Sequence, residues 1–429
     1  MQGKTSRAPF AWLRKRAWVL AWLMRFREGF AFLPLVLGVA GGGLATLLFA
    51  LDPWVPTSLL VAPPVEAART VSSTLVGAVL GVAATTFTIV MAVLTLASSQ
   101  FGPRLLRQFL KDGVSQATLG IFLAVASYHL AVLALLDPSD RPGVLPVWGG
   151  LVVAAAGGVA LVVFVQHFAR SVHADVIVAR VGTDFEALVA DLCGTDTCES
   201  PVPPELPVRL PAGTAGYLQS VDLVALQRLA GAHDLEVRVV PRPGAHLLPS
   251  EPLLQVDRPV DEALASELRE CASIGDDRSP TQDLEFVLAQ LAEMAVRAMS
   301  PGINDPFTAE LCIHRMTQGL ATFVDRGAPP SVFGDDDGKV RVWMRWPTFD
   351  ELLGAATHRL RPAAGRDAGT LLTMLRALAR LSNTTPEPSV HASCARYARE
   401  VRASAGPDIP TGDLARLDAA LADVTRLRT

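Results

Sequence analysis

Residues 70–103 read TVSSTLVGAVLGVAATTFTIVMAVLTLASSQFGP, which is 34 positions without one charged side chain. Within this run, small and hydroxyl residues recur at steps of three or four, the spacing that places side chains on one face of a helix. Such a face is better suited to close contact with another helix backbone, or to lining a water-filled path, than to contact with lipid acyl chains. The run therefore predicts a membrane-spanning helix that does more than anchor the chain. We call this face the stripe; it comprises Thr74, Ala78, Gly81, Thr85, Thr88, Ala92, Thr95 and Ser99.

The overall composition is that of a membrane protein. Half of the 429 residues are hydrophobic, and the mean hydropathy of +0.33 is too high for an ordinary soluble protein of this size. Four early stretches lack Asp, Glu, Lys and Arg, and each exceeds the roughly 20 residues that a helix needs to span a bilayer. We therefore predict four transmembrane helices, within 29–51, 70–103, 113–136 and 142–169.

Charge predicts the orientation of these helices. The segment before the first span and the loop between the second and third hold ten Lys and Arg, whereas the other two loops hold two. This bias predicts that both termini are cytoplasmic. Residues 170–429 carry 26 basic and 36 acidic side chains, which argues against nucleic-acid binding. All five cysteines lie in that part without zinc-finger or CxxC spacing, and free thiols fit a reducing cytoplasm.

The fold class that these patterns predict is a mainly α membrane protein, with a four-helix transmembrane region followed by a cytoplasmic α/β domain that is mostly helical. The fourth span has no clear end, because its helical pattern persists towards Val181. We divide the chain into a basic, Trp-rich interfacial helix at 1–28, four transmembrane helices at 29–169, a helical extension and Pro-rich linker at 170–210, a small mixed α/β module at 211–260 and a helical domain at 261–429.

Capping signals mark several helices in the second half of the chain. Ser or Thr followed three residues later by Glu or Gln is the capping-box pattern, and it occurs at 279–282 and 348–351. Residues 339–346 alternate basic and apolar side chains, as an exposed strand does. Three further amphipathic helices are predicted at about 367–381, 389–404 and 412–427.

The first, third and fourth spans also carry features that suggest contacts. His129, in the third span, is a functional candidate, because ionisable side chains inside a membrane are costly. The alternative is that it donates to a carbonyl of a neighbouring helix or lies near an interface. Small residues four apart let helices pack closely, and they occur as Gly38 and Gly42 in the first span and as Gly150, Ala154 and Gly158 in the fourth.

The sharpest local motif is Met299-Ser-Pro-Gly-Ile-Asn-Asp-Pro-Phe-Thr-Ala309. Ser300-Pro-Gly can end one helix, and Asp305 can cap the next helix with Pro306 at its first position. A structural joint of this kind does not account for Asn304 or Thr308, so a ligand pocket near the joint is the alternative. The ligand-binding candidates are Ser300, Asn304, Asp305, Thr308 and His314.

Catalytic chemistry has little support in the sequence. Glu310 and His314 lie one turn apart on the second helix of the joint and could bind a metal or relay a proton. However, the sequence contains no HExxH pattern, no glycine elbow presenting a serine, no P-loop and no dinucleotide fingerprint. We therefore predict a protein that is not an enzyme and that has no cofactor and no metal site.

The motif at 299–309 resembles the SPGINDPFTA motif of a large bacterial family of predicted membrane proteins of unknown function. Two more stretches are similar to that family, TTFTIVMAVLTLASSQFGPR at 85–104 and GYLQSVD at 216–222. The resemblance covers nearly the whole chain, and it implies four spans and a cytoplasmic domain without supplying an activity. We accordingly expect a multi-pass protein of the bacterial inner membrane.

The first functional hypothesis is an oligomeric, channel-like protein in which the second span lines the pore. Threonine and serine hydroxyls can partly replace the hydration of an ion. Four spans per chain are few for a monomeric pore, so closed cyclic symmetry is expected. Arg104 would favour anions at the cytoplasmic mouth, and the alternative for the stripe is a tight helix–helix seam. The pore-lining candidates are Thr85, Thr88, Thr95, Ser99, Gln100 and Arg104.

The second functional hypothesis is a membrane-anchored sensor or scaffold, whose cytoplasmic domain binds a small molecule or a protein partner. In that case the spans anchor and dimerise the chain. Under either hypothesis the expected partners are the lipid bilayer, further copies of the chain, and a small ion or small-molecule ligand. Ion flux through the reconstituted protein separates the two hypotheses.

Overall fold

The computed structural model describes residues 31–54, 64–101, 112–136, 143–171, 173–194, 204–335 and 337–426. For residues 96–101 and 171 it describes the backbone alone. The interfacial helix predicted at 1–28 lies outside these residues. Internal contacts divide the chain into two units, which we call the membrane unit, Met1–His173, and the C-terminal unit, Ala174–Thr429.

Within the described residues, four helices are long and apolar enough to cross a membrane, as the sequence predicts. The first continues into one turn of 3-10 helix at Asp52–Trp54. The second has 37 residues, well beyond the roughly 20 that span a bilayer. The predicted fold class is confirmed. The four helices are α1 (Phe32–Leu51), α2 (Val65–Phe101), α3 (Gly113–Leu135) and α4 (Val144–Ser171).

Helix α3 is the centre of the membrane unit, and glycines let α1 approach it closely. In the apolar window of each spanning segment, 44% of the α3 residues are buried, compared with 11% of the α2 residues. A Cβ atom at Gly41 would lie 2.2 Å from the carbonyl oxygen of Ala124, so only glycine fits there. The Ser127 hydroxyl donates to the Gly38 carbonyl at 2.5 Å. The prediction of a packing face at Gly38 and Gly42 is confirmed, with Gly41 at the closest point.

The contact between α3 and α4 also depends on glycine. A Cβ at Gly150 would lie 2.8 Å from the His129 ring, and one at Gly157 would lie 3.2 Å from Val125. At Gly158 an added Cβ would meet no atom within 4 Å. The predicted small-residue face is therefore correct at Gly150 and wrong at Gly158, because the contact face of α4 is turned towards Gly157.

Two helices replace the continuous helix that the pattern towards Val181 predicts. Helix α4 ends at Ser171, and α5 (Ala174–Leu192) begins after His173, whose backbone N–H donates to the Arg170 carbonyl at 3.3 Å. Helix α5 belongs to the C-terminal unit, where it packs against the two helices that flank the 299–309 joint.

Two sheets lie in the described part of the C-terminal unit. The larger has the strand order β1-β5-β3-β8-β7 and the smaller has the order β4-β2-β6. Only the β3–β8 pair is parallel among the pairs in these two sheets. The strands are β1 (Val208–Pro211), β2 (Gly216–Val221), β3 (Val237–Val239), β4 (His246–Leu247), β5 (Pro252–Val256), β6 (Ala272–Gly275), β7 (Val332–Gly334) and β8 (Val340–Met344).

Both sheets take strands from either side of residue 260, where the sequence analysis separates a mixed module from a helical domain. Strand β6 pairs with β2, and β8 pairs with β3. The strand predicted at 339–346 forms, but it is not exposed, because it lies between β3 and β7 with Val342 and Met344 buried. Its basic side chain Arg341 is held by ion pairs to Asp234 and Asp335, at 2.7 and 2.6 Å.

Helices make up the remainder of the C-terminal unit. The three C-terminal helices form where the sequence predicts them, and Thr348 and Glu351 form the predicted capping box with both reciprocal bonds. The helices are α6 (Leu223–Ala232), α7 (Glu262–Glu270), α8 (Leu284–Ala298), α9 (Pro306–Arg326), α10 (Phe349–Thr357), α11 (Leu360–Ala363), α12 (Ala368–Ser382), α13 (Pro388–Ala403) and α14 (Thr411–Thr425).

The capping box predicted at Ser279 is wrong. Helix α8 begins later, and Asp283 is its N-cap, accepting from the Phe286 N–H at 2.9 Å. Gln282 instead pairs with the backbone of Val221, accepting from its N–H at 2.8 Å and donating to its carbonyl at 3.0 Å. These two bonds satisfy the backbone of Val221 at the end of β2. Gln282 therefore serves the strand, and it does not complete a capping box one turn before α8.

Candidate functional site

The stripe on α2 points away from the other described helices of the membrane unit. Every stripe residue whose side chain is described is exposed, from Thr74 to Thr95. A Cβ added at Gly81 would meet no atom within 4 Å. The helix uses other residues for packing, and these lie on its opposite side: Ala68, Ser72, Thr86, Val90 and Leu94. Among the described residues of the membrane unit no other helix covers the stripe, so a seam or a pore between these helices would need a second copy.

The stripe hydroxyls have a defined orientation. Thr85 and Thr88 bond to the carbonyls four residues earlier at 3.0 and 2.9 Å, and Thr95 does the same at 2.9 Å. A carbonyl oxygen can only accept, so each hydroxyl proton is engaged within the helix. The hydroxyl oxygens consequently present lone pairs outward, and lone pairs suit cations.

The other pore-lining candidates are less fully described. Ser99 and Gln100 lie in the last turn of α2, but their side chains are outside the described atoms. Arg104 lies outside the described residues. The structure therefore brings Thr85, Thr88 and Thr95 onto one outward face, and the cytoplasmic mouth stays a prediction.

A polar cluster lies inside the membrane unit where α2, α3 and α4 meet. His129 Nδ1 lies 3.3 Å from the Ser72 hydroxyl, and both side chains are buried, at 2% and 4% exposure. The neighbouring Tyr128 hydroxyl donates to the Pro146 carbonyl at 2.7 Å. His129 thus contacts a hydroxyl of α2, a partner the sequence analysis missed, because polar pairing across helices leaves no periodic signal.

A second polar cluster lies at the other end of α3. Asp112 is its N-cap and accepts from the Ser115 N–H at 2.9 Å, from the Ser115 hydroxyl at 2.7 Å and from His167 Nε2 of α4 at 3.0 Å. Burial acts to raise the pKa of the Asp112 carboxyl, but the bonds from Ser115 and His167 outweigh it and lower that pKa below its ordinary value. This carboxylate therefore joins the ends of the third and fourth spans.

The 299–309 joint has a structural explanation for Asn304, Asp305 and Thr308. Ser300 accepts at its carbonyl from the N–H of Asn304 at 2.8 Å, and Asn304 has a φ of +49°, which asparagine tolerates better than most residues. Asp305 caps α9 by accepting from the Thr308 N–H at 3.1 Å and from its hydroxyl at 2.5 Å. The apolar Phe307 is 83% exposed at this tip.

His314 lies apart from the other ligand-binding candidates. It is two turns further along α9 and lines a groove between that helix and the end of α12, with a cavity volume of about 360 Å³. The groove wall from α9 also contains Asp325, and the wall from α12 contains Arg380. Neither Asp325 nor Arg380 is singled out by the sequence, since nothing local shows that α9 and α12 are neighbours. No group of metal-binding side chains occurs in the described residues.

The chain matches a known family and three curated proteins, two of which are described here. The family model described as "Predicted membrane protein (DUF2254)" matches residues 27–380. "Uncharacterized protein Mb1321c" of Mycobacterium bovis and "Uncharacterized protein Rv1290c" of Mycobacterium tuberculosis are each 30% identical to the chain over 320 residues. The match covers 71% of this chain and 61% of each relative, so the chain spans less than two thirds of their length. No solved structure matches it.

Proposed function

The chain belongs to the DUF2254 family of membrane proteins, and we propose that it forms an ion-conducting homo-oligomer in the cytoplasmic membrane of a bacterium. In this proposal α2 lines the path for ions. The C-terminal unit lies in the cytoplasm and regulates the path, an arrangement supported by the excess of basic residues in the N-terminal segment and in the loop between the second and third spans.

The observation that carries the proposal is the outward stripe on α2. A single chain buries none of the described stripe residues, so the hydroxyls can face each other only across copies of the chain. Closed cyclic assembly would bring one α2 from each copy to a central axis. The small residues Ala78, Gly81 and Ala92 would let these helices approach.

The proposed ion is a cation. The hydroxyl protons of Thr85, Thr88 and Thr95 are engaged by backbone carbonyls, so a passing ion would meet oxygen lone pairs. Arg104 predicts the opposite preference at the mouth. We place the selectivity at the hydroxyls, because they recur along the membrane interior, whereas Arg104 lies beyond the apolar run.

Replacing Thr88 by valine tests the path. The substitution keeps the side-chain shape and removes the hydroxyl, so we expect potassium flux into proteoliposomes to fall about tenfold, which corresponds to about 1.4 kcal/mol. Ile89→Val is the matched control, since Ile89 is adjacent on α2, is exposed off the stripe and should conduct as before. Chloride flux is measured in parallel.

Two results would contradict this proposal. The first is a chain that stays monomeric in lipid, as measured by native mass spectrometry, because the stripe would then face acyl chains. The second is an oligomer that passes neither potassium nor chloride. If the oligomer passes neither ion and Thr88→Leu disrupts its assembly, the stripe is a contact between copies and not a path for ions.

The second candidate function is the membrane-anchored sensor, and the groove that contains His314 favours it. Helix α9, which forms one wall, packs tightly on α5, the helix that follows the fourth span along the chain. A Cβ at Gly319 of α9 would lie 2.1 Å from the Phe185 ring of α5. A ligand in the groove would therefore act on a helix pair that has no room to slide independently.

A further inference from the structure

The groove between α9 and α12 carries an inference about the ligand of the regulatory unit, and it rests on the regulatory role proposed above. The groove is open, and its volume of about 360 Å³ falls at the lower end of the range for small-molecule sites. It is lined by one face of α9 and by the last turn of α12. Its polar lining consists of His314, Thr317, Gln318, Thr322, Asp325, Arg380 and Thr384.

Opposite charges line this groove without neutralising each other. Asp325 and Arg380 both line it, yet neither side chain forms an ion pair or hydrogen bond with any described residue. A gap between a free carboxylate and a free guanidinium fits a molecule that carries an ammonium group and a carboxylate group.

The threonine hydroxyls of the groove act as acceptors. Thr317, Thr322 and Thr384 donate to backbone carbonyls at 2.7, 3.1 and 2.7 Å. Their protons are engaged, so the oxygens offer lone pairs to a donor. These oxygens add to Asp325 in favouring an ammonium group.

The groove is connected to α5 through Gln318. Its side-chain oxygen accepts from Arg315 at 3.2 Å, and its nitrogen donates to Glu186 of α5 at 3.2 Å. A ligand that contacts Gln318 would compete with Glu186 for its amide. Ligand binding would thereby change the contact between Gln318 and α5, the helix that follows the fourth span in the chain.

We propose that this groove binds a free amino acid, with its carboxylate on Arg380 and its ammonium group on Asp325 and the threonine oxygens. Both charges of the ligand are required, so a molecule that carries only the carboxylate or only the ammonium group, which we call a half-ligand, binds poorly. The volume admits a side chain as well, and the exposed His314 and Gln318 stand where that side chain would extend.

Isothermal titration of the full chain in nanodiscs tests the proposal, with glycine, L-glutamate and L-lysine as probes and with acetate and methylammonium as half-ligands. At least one amino acid should bind at least tenfold more tightly than either half-ligand. Arg380→Gln and Asp325→Asn should each weaken that binding at least tenfold. Arg376→Gln and Asp191→Asn are matched controls, since both positions are exposed and lie outside the groove, and they should leave it unchanged.

The inference is overturned if none of the three amino acids binds, if both groove variants bind as the parent does, or if acetate binds as tightly as the amino acid. Asp325 and Arg380 are exposed and unpaired among the described residues, so their substitution leaves the fold intact, and an unchanged circular dichroism spectrum verifies this. The titration needs no ion gradient. A chain that conducts without binding therefore refutes only this inference, and a chain that binds without conducting refutes only the path.

Discussion

Asp283→Ala should destabilise the C-terminal unit by about 3–5 kcal/mol, the range for breaking a buried ion pair by removing one partner. Asp283 is 2% exposed, and its carboxylate accepts two bonds from Arg278, at 2.7 and 2.8 Å. It also caps α8 through the Phe286 N–H. Alanine would leave a guanidinium without its partner and a helix without its cap. Hydrogen exchange of α8 peptides under rising urea, in the full chain, measures the loss.

Asp222→Ala is the matched control for this prediction. Asp222 is also the N-cap of a helix, accepting from the Ala225 N–H at 2.9 Å, but it is exposed and forms no ion pair within the described residues. Its loss should cost about 1 kcal/mol, the usual value for a cap. Equal losses for the two variants would show that the bond from Arg278 contributes nothing.

Gly41→Ala should destabilise the membrane unit by about 1–3 kcal/mol, the cost of forcing extra volume into a packed interior. The added methyl group would lie 2.2 Å from the Ala124 carbonyl oxygen and 2.7 Å from the Ala124 carbonyl carbon and Cα. These are backbone atoms, so the clash is relieved only if α1 and α3 separate. Thermal unfolding in detergent, followed by size-exclusion chromatography, measures the effect.

Gly43→Ala provides the control on the same helix. An added Cβ at Gly43 would meet no atom within 4 Å, and alanine favours helix over glycine by up to about 1 kcal/mol. We therefore expect unchanged or slightly higher thermal stability. If Gly41→Ala and Gly43→Ala melt together, the close approach of α1 and α3 described here is incorrect.

The membrane helices could be predicted because length and hydropathy are local properties. Each apolar run contains its own evidence, and so does a capping pair such as Thr348 and Glu351. Which face of each helix packs against the other helices could not be predicted in the same way. The stripe of α2 is apparent from spacing, but whether it faces inward depends on the position of α3, which no pattern within α2 contains.

Most of the features that the sequence predicted wrongly or missed are contacts between residues that lie far apart in the sequence. Gly41 is constrained by Ala124, and His129 contacts Ser72, across a long interval of sequence. At Ser279 a correct local rule was outweighed, because Gln282 pairs with Val221 of a strand. The position of Asp325 and Arg380 in one groove was missed for the same reason, since both residues look like ordinary surface charges until α9 and α12 are adjacent.

The parallel pairing of β3 with β8 has a consequence during translation. Val237 of β3 leaves the ribosome long before its partner Val342, and contacts between residues so far apart in sequence form slowly. Until then strand β3 leaves the larger sheet with an open edge, which can recruit strands from neighbouring nascent chains. A chain that stops before Val340 keeps that edge permanently, so premature termination there yields an aggregation-prone product with its four spans already synthesised.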